Sequence, residues 1–277
     1  MSKRHFPESE LIINADGSCF HLHLKPEQLA DKIILVGDPA RVDTVAAHFD
    51  SKECEVSSRE FHTITGTYKG KRITVQSHGI GCDNIDIVVN ELDTLANIDY
   101  QTREEKDEHR TLTMVRIGTC GGLQPFTPTG SFIASVKSIG FDGLLNYYAG
   151  RNVVCDIDLE KAFCEHMQWD PIKGAPYVSL ADEKLIDQIA AENDISKLNQ
   201  AQEMLDTAYS YFSQITALNC SMSGPTATAI EEASEAMKYS IGEQKERIED
   251  CIESIRRTIS KYQAIDESLK NTINTSV

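Results

Sequence analysis

The amino-acid composition changes abruptly near residue 190, and this change constrains the fold more than any other feature of the sequence. Residues 1–190 contain 14 of the 16 glycines and seven of the eight prolines, whereas residues 191–277 contain a single valine, at position 277. Glycine and proline mark turns and valine favours strands, so the first part suits a sheet with tight turns and the second suits long helices. We therefore predict an α/β domain over residues 1–190 and an all-α segment, a helical hairpin or coiled-coil-like structure, over residues 191–277.

Within the first part, short apolar runs alternate with a segment of helical spacing. Residues 85–98 carry the helical spacing. The strand candidates are 32–37, 72–77, 111–119 and 131–139, of which 111–119 has the character of a buried strand. Strands separated by helices indicate βαβ units and a mostly parallel sheet, in which ligands bind beyond the carboxyl ends of the strands.

The second part predicts two helices on either side of a turn at 221–226. Gly224 and Pro225 would end one helix, and Thr226 would cap the next. Two interpretations are open: a helical cap packed on the first part, or a separate module for oligomerisation or partner binding. The first apolar stripe comprises Ile195, Leu198, Met204, Leu205, Ala208, Phe212, Ile215 and Leu218. The second comprises Met237, Ile241, Ile248, Ile252, Ile255, Ile259, Tyr262 and Leu269.

Charge and cysteine usage exclude several classes of function. The formal net charge is −16, so we expect no nucleic-acid partner, because such binding depends on a basic surface. No apolar run reaches the roughly 18–20 residues of a membrane span, so we expect no membrane partner. The first residues lack the apolar stretch of a secretory signal, and the eight cysteines show neither CxxC nor zinc-site spacing. We expect a cytoplasmic protein without a metal site, in which most cysteines are small core residues.

Three glycine-containing turns that follow predicted strands carry the candidate anion-binding residues. The turn GDPAR, from Gly37 to Arg41, combines free backbone N–H groups with a guanidinium fork that matches phosphate oxygens. The turn at 77–84, SHGIGCDN, contains two glycines between a strand and a helix. Arg116 lies inside an apolar strand, so it should meet a carboxylate or a bound anion, and Thr119 follows it.

Each candidate also has a purely structural interpretation. Arg41 and Arg59 would be surface charges, Arg116 would form an ion pair with a local acid, and His21 would be a structural histidine. Taken together, however, three turns after three parallel strands would converge on one edge of the sheet. A small dianion such as orthophosphate fits a site that receives both Arg41 and Arg116.

Five sequence blocks resemble, in order and in spacing, the uridine phosphorylase branch of the nucleoside phosphorylase family. The resemblance covers about residues 7–190 and implies a mixed, distorted β-sheet flanked by helices. It also implies a homo-oligomer built from dimers, and cleavage of a nucleoside by phosphate to ribose 1-phosphate and free base. Inorganic phosphate would be the co-substrate, with no cofactor. The blocks are FHLHL (20–24), GDPAR (37–41), REF (59–61), SHGIG (77–81) and RIGTCGG (116–122).

The resemblance also implies roles for individual residues. Arg116 and Thr119 would be catalytic, and Thr119 would approach the ribose as well. Arg59 would reach phosphate, and His21 the ribose, in the site of the neighbouring subunit. His78 stands where the family usually has threonine. The implied phosphate-binding residues are Gly37, Arg41, Arg59, Arg116 and Thr119.

Two elements of the uridine branch do not occur after residue 193. They are a Gln-x-Arg pair that reads uracil and a Glu-Met-Glu segment that holds the ribose hydroxyls; the segment 203–206, Glu-Met-Leu-Asp, lies on the predicted helical stripe instead. Our first hypothesis is phosphorolysis of a nucleoside, with a uridine-like pyrimidine as first choice. The alternative is a catalytically impaired scaffold whose helical tail mediates assembly or partner binding. A hydrolytic nucleosidase is a third hypothesis, disfavoured because hydrolysis needs no arginines to hold phosphate.

Overall fold

The computed structural model divides into two compact units, Met1–Ser131 and Phe132–Val277. The boundary predicted at residue 190 lies inside the second unit, close to the start of its first long helix, and stays a prediction. The structure describes the backbone of residues 3–219 and 224–274, and the side chains of residues 3–214, 224, 227–257 and 260.

The first unit is built around a mixed β-sheet. The predicted strands at 32–37 and 72–77 and the helix at 85–98 are all found, and the strand at 111–119 is found as a shorter one. The helices and strands are β1 (Lys32–Val36), α1 (Pro39–Ala46), β2 (Ser51–Ser58), β3 (Phe61–Tyr68), β4 (Lys71–Ser77), α2 (Cys82–Asn97), β5 (Ile98–Asp99), β6 (Glu104–Glu105) and β7 (Thr113–Ile117). A short 3₁₀ helix at Pro26–Gln28 precedes them.

The strand order of the main sheet is β2-β3-β4-β1-β7. Strand β1 pairs in parallel with β4 and with β7, whereas β2, β3 and β4 form an antiparallel meander. The prediction of a mostly parallel sheet is therefore wrong for half of these pairings. The reason is the length of the connections: Arg59-Glu60 and Lys69-Gly70 are two-residue loops, which can join only antiparallel neighbours.

Both faces of the sheet are covered by helices. Side chains alternate along β1, so Ile33 and Leu35 pack with Leu92 of α2, while Val36 packs with Val42 of α1. Strand β7 ends the sheet at one edge, and its last residues are exposed, so the prediction that 111–119 is a buried strand is wrong. A central strand is covered by neighbours on both sides, whereas this one has β1 on one side only.

The second unit begins with a two-stranded antiparallel sheet and ends in two long helices. The strand predicted at 131–139 begins only at Lys137. Short 3₁₀ helices occur at Leu144–Tyr147, Arg151–Val153 and Pro171–Lys173. The helices and strands are β8 (Lys137–Gly140), α3 (Ile157–His166), β9 (Tyr177–Leu180), α4 (Glu183–Asn219) and α5 (Pro225–Asn274).

Helices α4 and α5 pack against each other and confirm the prediction of an all-helical C-terminal segment. Ile195, Ile241 and Ile252 are buried as expected, but Met204 and Met237 are exposed, because they lie off the face that the two helices share. Polar pairs flank this interface: Gln202 Nε2 donates to Glu249 Oε1 at 2.7 Å, and Lys245 pairs with Asp206. The predictions for the side chains of Thr226, Ile215, Leu218, Ile259, Tyr262 and Leu269, and for residues 221–223, lie outside the described residues.

Within residues 3–219 and 224–274, none of the helices combines the length and the apolar character that crossing a bilayer requires.

The prediction that most cysteines are core residues is wrong. Of the cysteines whose surroundings the structure describes, only Cys19 and Cys155 are buried, while Cys120 and Cys251 are exposed. Cys120 lies in the loop after the edge strand β7 and Cys251 lies on the surface of α5, so neither position belongs to a packed core.

The carboxylate of Glu160 ties α3 to β9. Its Oε1 accepts hydrogen bonds from Arg151 Nη2 at 2.6 Å and from the backbone N–H of Val178 at 2.9 Å. Burial alone would raise the pKa of Glu160, but the hydrogen bonds from Arg151 and Val178 outweigh it and lower the pKa below its usual value. The ionised carboxylate therefore stabilises the fold above the usual carboxyl pKa, and this contribution is lost as the pH falls through the lowered pKa.

We expect Glu160→Ala to lower the free energy of unfolding by about 2 kcal/mol at neutral pH, because it leaves Arg151 and the Val178 N–H without their acceptor. Urea denaturation followed by circular dichroism measures the change. Glu165→Ala, an exposed position on the same helix, is the control and should change stability by less than about 0.5 kcal/mol. Equal effects of the two substitutions would contradict this role of Glu160.

Candidate functional site

A cleft of about 760 Å³ opens where the parallel strands β1, β4 and β7 end. Its lining comes from three segments. Residues 37–41 follow β1, residues 78–85 follow β4, and residues 116–119 comprise the end of β7 and the two residues after it. Glu60, from the loop between β2 and β3, completes the lining described here. Thus the structure brings Gly37, Arg41, Arg116 and Thr119 to one cleft.

The first segment is the start of α1. Pro39 occupies the first turn of the helix, and the Asp38 carboxylate caps it by accepting the Ala40 N–H at 2.9 Å. This cap fixes the direction in which the chain leaves β1, and Arg41 follows in the first turn of the helix. Arg41 is exposed and has no carboxylate partner among the described ion pairs, so its guanidinium is available to an anion in the cleft.

The second segment depends on a close approach that only glycine permits. Gly79 has φ 68°, and a Cβ added there would lie 2.7 Å from Asn84 Nδ2 and 2.9 Å from Glu60 Cγ. Asn84 Nδ2 donates to Glu60 Oε1 at 3.0 Å and to the carbonyl oxygen of Ile80 at 3.1 Å. Gly79 therefore leaves room for the Glu60–Asn84 pair at the rim of the cleft, and this pair occupies the Glu60 carboxylate.

The third segment carries Arg116, whose partner is a histidine. Arg116 Nε donates to His78 Nε2 at 2.9 Å, and within the described residues Arg116 forms no ion pair with a carboxylate. The expectation of a guanidinium buried in an apolar strand is corrected, because Arg116 is exposed at the open end of β7. The guanidinium folds back over Gly118, where an added Cβ would lie 3.0 Å from Arg116 Cζ.

His78 is buried, with 3% of its surface exposed. Burial and, after it, the positive charge of Arg116 lower the pKa of His78 below its usual value. The ring is therefore neutral at neutral pH. The cations of the cleft are then the guanidinium groups of Arg41 and Arg116, which offer donors to a small oxyanion, while the carboxylates of Asp38 and Glu60 accept hydrogen bonds from the Ala40 N–H and from Asn84.

His21 and Arg59 lie outside the residues that line this cleft. Arg59 Cζ lies 5.9 Å from the centroid of the Phe20 ring, whose edge contacts the His21 ring at a centroid distance of 4.7 Å. His21 Nδ1 lies 2.6 Å from Glu91 Oε1, and the same carboxylate accepts the backbone N–H groups of His21 and Leu22. The structure thus groups Arg59 with His21, and their roles stay predictions.

Sequence reasoning assigned no role in the cleft to Asp38 and expected no contact between His78 and Arg116. The cap by Asp38 has a sequence signal, since an aspartate directly before proline is typical of a helix start. The contact of His78 with Arg116 has none, because the two residues are 38 positions apart and meet only through the register of β1 with its two neighbours.

We expect Gly79→Ala to lower the free energy of unfolding by about 2–3 kcal/mol, since it adds a collision with Glu60 and Asn84 to the strain of a positive φ. Gly70→Ala is the matched control, because Gly70 has φ 72° but open space around the added Cβ. It should cost only about 1 kcal/mol, the strain alone. Urea denaturation of both variants measures the difference, and equal costs would contradict the close approach at Gly79.

The chain is similar in sequence to known nucleoside phosphorylases. A DeoD-type purine nucleoside phosphorylase of Thermoanaerobacter sp. is 32% identical over 133 residues, which are 45% of this chain and 52% of that protein. The uridine phosphorylase of Treponema pallidum is 33% identical over 130 residues, 47% of this chain and 45% of that protein. The chain therefore spans about half the length of the curated relatives it matches.

A solved structure has a similar fold. The crystal structure of a Trypanosoma brucei nucleoside phosphorylase, described as showing uridine phosphorylase activity, superposes with a TM-score of 0.57 at 31% identity and covers 69% of this chain and 62% of that one. The family model of the phosphorylase superfamily matches residues 31–240, well over half of the sequence. The chain thus belongs to the phosphorylase superfamily.

Proposed function

We propose that this protein is a nucleoside phosphorylase, a pentosyltransferase that uses inorganic phosphate to cleave a nucleoside into ribose 1-phosphate and free base. The observation that carries the proposal is the convergence of Gly37, Arg41, Arg116 and Thr119 on one cleft at the end of three parallel strands. Relatives named as purine nucleoside phosphorylases and uridine phosphorylases support it.

The chemistry follows from the charges in the cleft. The guanidinium groups of Arg41 and Arg116 would hold the phosphate dianion, and the hydroxyl of Thr119 would contact phosphate and ribose. As the glycosidic bond breaks, its electron pair leaves with the base nitrogen and the ribose gains oxocarbenium character. A phosphate oxygen held next to the anomeric carbon of the ribose stabilises the positive charge and then forms the new bond, while the proton that the phosphate loses is taken up by the departing base.

A uridine-like pyrimidine nucleoside is our first choice of substrate. The resemblance of blocks 20–24 to 116–122 to the uridine branch supports it, as does the likeness to the Trypanosoma brucei enzyme described as showing uridine phosphorylase activity. The Glu-Met-Leu-Asp segment at 203–206 lies in the interior of α4, so a different part of the protein would have to hold the ribose hydroxyls.

We expect phosphate-dependent release of base from uridine, and Arg116→Ala to lower kcat/KM by about 100-fold, because it removes a preorganised cation from the transition state. Arg247→Ala, an arginine on the exposed surface of α5, is the control and should leave the rate unchanged. The assay follows base release from uridine, thymidine, inosine and adenosine, with and without phosphate.

Each other outcome of this assay favours one of the remaining hypotheses. Equal cleavage with and without phosphate would indicate a hydrolytic nucleosidase. Phosphate binding without cleavage of any of the four nucleosides would indicate the impaired scaffold, whose helical tail serves assembly or partner binding. An Arg116→Ala variant with full phosphate-dependent activity would contradict the proposed site.

We further propose a homo-oligomer in which Arg59 and His21 serve the site of a neighbouring subunit. Their position beside Phe20, outside the lining of the cleft, supports this arrangement. Arg59→Ala and Arg116→Ala should each lose most of their activity alone, but their mixed dimers contain one site in which both arginines are intact.

Co-expression of the two variants should therefore restore about a quarter of wild-type activity, since half of the randomly assembled dimers are mixed and each has one intact site. The activity of separately purified and co-expressed variants measures this recovery. Co-expression of Arg116→Ala with the wild-type-like Arg247→Ala is the control for balanced expression, since it should retain about half of the wild-type activity. No recovery on co-expression would contradict a shared site.

A further inference from the structure

We propose that His78 is a positioning residue that fixes the guanidinium of Arg116 over the phosphate site. The inference rests on the proposed function and extends it to a residue that departs from the family's usual threonine. The two residues come from different strands of the sheet, since His78 directly follows β4 and Arg116 lies near the end of β7. They meet because β4 and β7 flank the same strand, β1.

The direction of the hydrogen bond between Arg116 and His78 defines the protonation state of the His78 ring. A guanidinium has five N–H donors and no acceptor, so in the 2.9 Å contact Arg116 Nε donates and His78 Nε2 accepts. A ring nitrogen that accepts carries no proton. His78 is therefore neutral, with its single proton on Nδ1.

The surroundings of the ring support this neutral state. The backbone N–H of His78 donates to the carbonyl oxygen of Val36 at 2.9 Å, which holds the residue against the end of β1. The charged groups that share its cleft are Arg41 and Arg116, with Asp38 and Glu60 engaged by Ala40 and Asn84. A protonated ring would face Arg116 as a second cation at hydrogen-bond distance.

The remaining ring nitrogen shows that packing alone does not account for this residue. Nδ1 of His78 is buried and has no hydrogen-bond partner among the described residues. An unpaired buried donor destabilises a fold, and an apolar side chain would not bring one to this position. The hydrogen bond that Nε2 accepts from Arg116 offsets the cost of the unpaired Nδ1–H.

The contact decides how Arg116 can present its donors. His78 occupies the Nε–H, and the backbone of Gly118 lies against the guanidinium, where an added Cβ would collide with it. Only the Nη1 and Nη2 groups then remain for a bidentate contact, so the end of the guanidinium, not its side, meets the phosphate oxygens.

Two substitutions of His78 distinguish the contribution of the hydrogen-bond acceptor at Nε2 from that of the volume of the ring. Glutamine places its Oε1 close to the position of Nε2 and keeps an acceptor for Arg116, whereas leucine keeps bulk and removes the acceptor. We expect His78→Leu to raise the dissociation constant of inorganic phosphate about tenfold and His78→Gln to change it less than about threefold. Isothermal calorimetry with phosphate measures both.

Steady-state kinetics give a second readout, which a merely structural role would not produce. His78→Leu should raise the KM for phosphate while the KM for uridine stays within about twofold of the wild type. Gly118→Ala should act in the same direction, because an added Cβ there would collide with the same guanidinium. Long-range ¹H–¹⁵N spectra of the wild-type protein at pH 7.5 should show His78 as the Nδ1–H tautomer.

Failure of this inference differs from failure of the proposed function. If the wild type binds no phosphate, the proposed function fails and the positioning role fails with it. If the wild type binds phosphate and the leucine and glutamine variants bind it equally well or equally poorly, the positioning role alone is overturned. An Nε2–H tautomer or an imidazolium ring at pH 7.5 overturns it as well, even where neither variant folds.

Discussion

The parallel pairing of β1 with β4 on one side and β7 on the other is the constraint on which the rest of the first unit depends. In this register Val36 lies opposite both Ser77 and Ile117, so three strands end at the same level. The three turns that follow must then share one edge of the sheet. Arg41, His78 and Arg116, widely separated in the sequence, reach a single cleft for this reason alone.

The cleft contains two guanidinium groups although the whole protein is acidic. A net charge of −16 gives no hint of an anion site, and the absence of a nucleic-acid partner that we expect from it stays a prediction. Binding of a small anion depends instead on how the charged groups near the site interact with their neighbours. Asp38 caps α1 and Glu60 accepts from Asn84, so the nearby carboxylates are engaged and two guanidinium groups remain to meet a phosphate.

Much of the fold was predictable because short-range patterns specify it. The apolar run at 32–37 and the helical spacing at 85–98 gave β1 and α2, and the loss of glycine, proline and valine after residue 190 predicted α4 and α5. The convergence of Arg41 and Arg116 was predictable from the rule for parallel strands. The meander of β2 and β3, the exposure of β7 and the contact between His78 and Arg116 were not, since they depend on which strands become neighbours.

The phosphate site is tested most directly by a crystal structure of the protein soaked with phosphate and uridine. We expect one phosphate ion in the cleft at the ends of β1, β4 and β7, in contact with the guanidinium groups of both Arg41 and Arg116, with the nucleoside next to it. A phosphate bound elsewhere, or one that contacts neither arginine while the cleft stays filled with water, would contradict it.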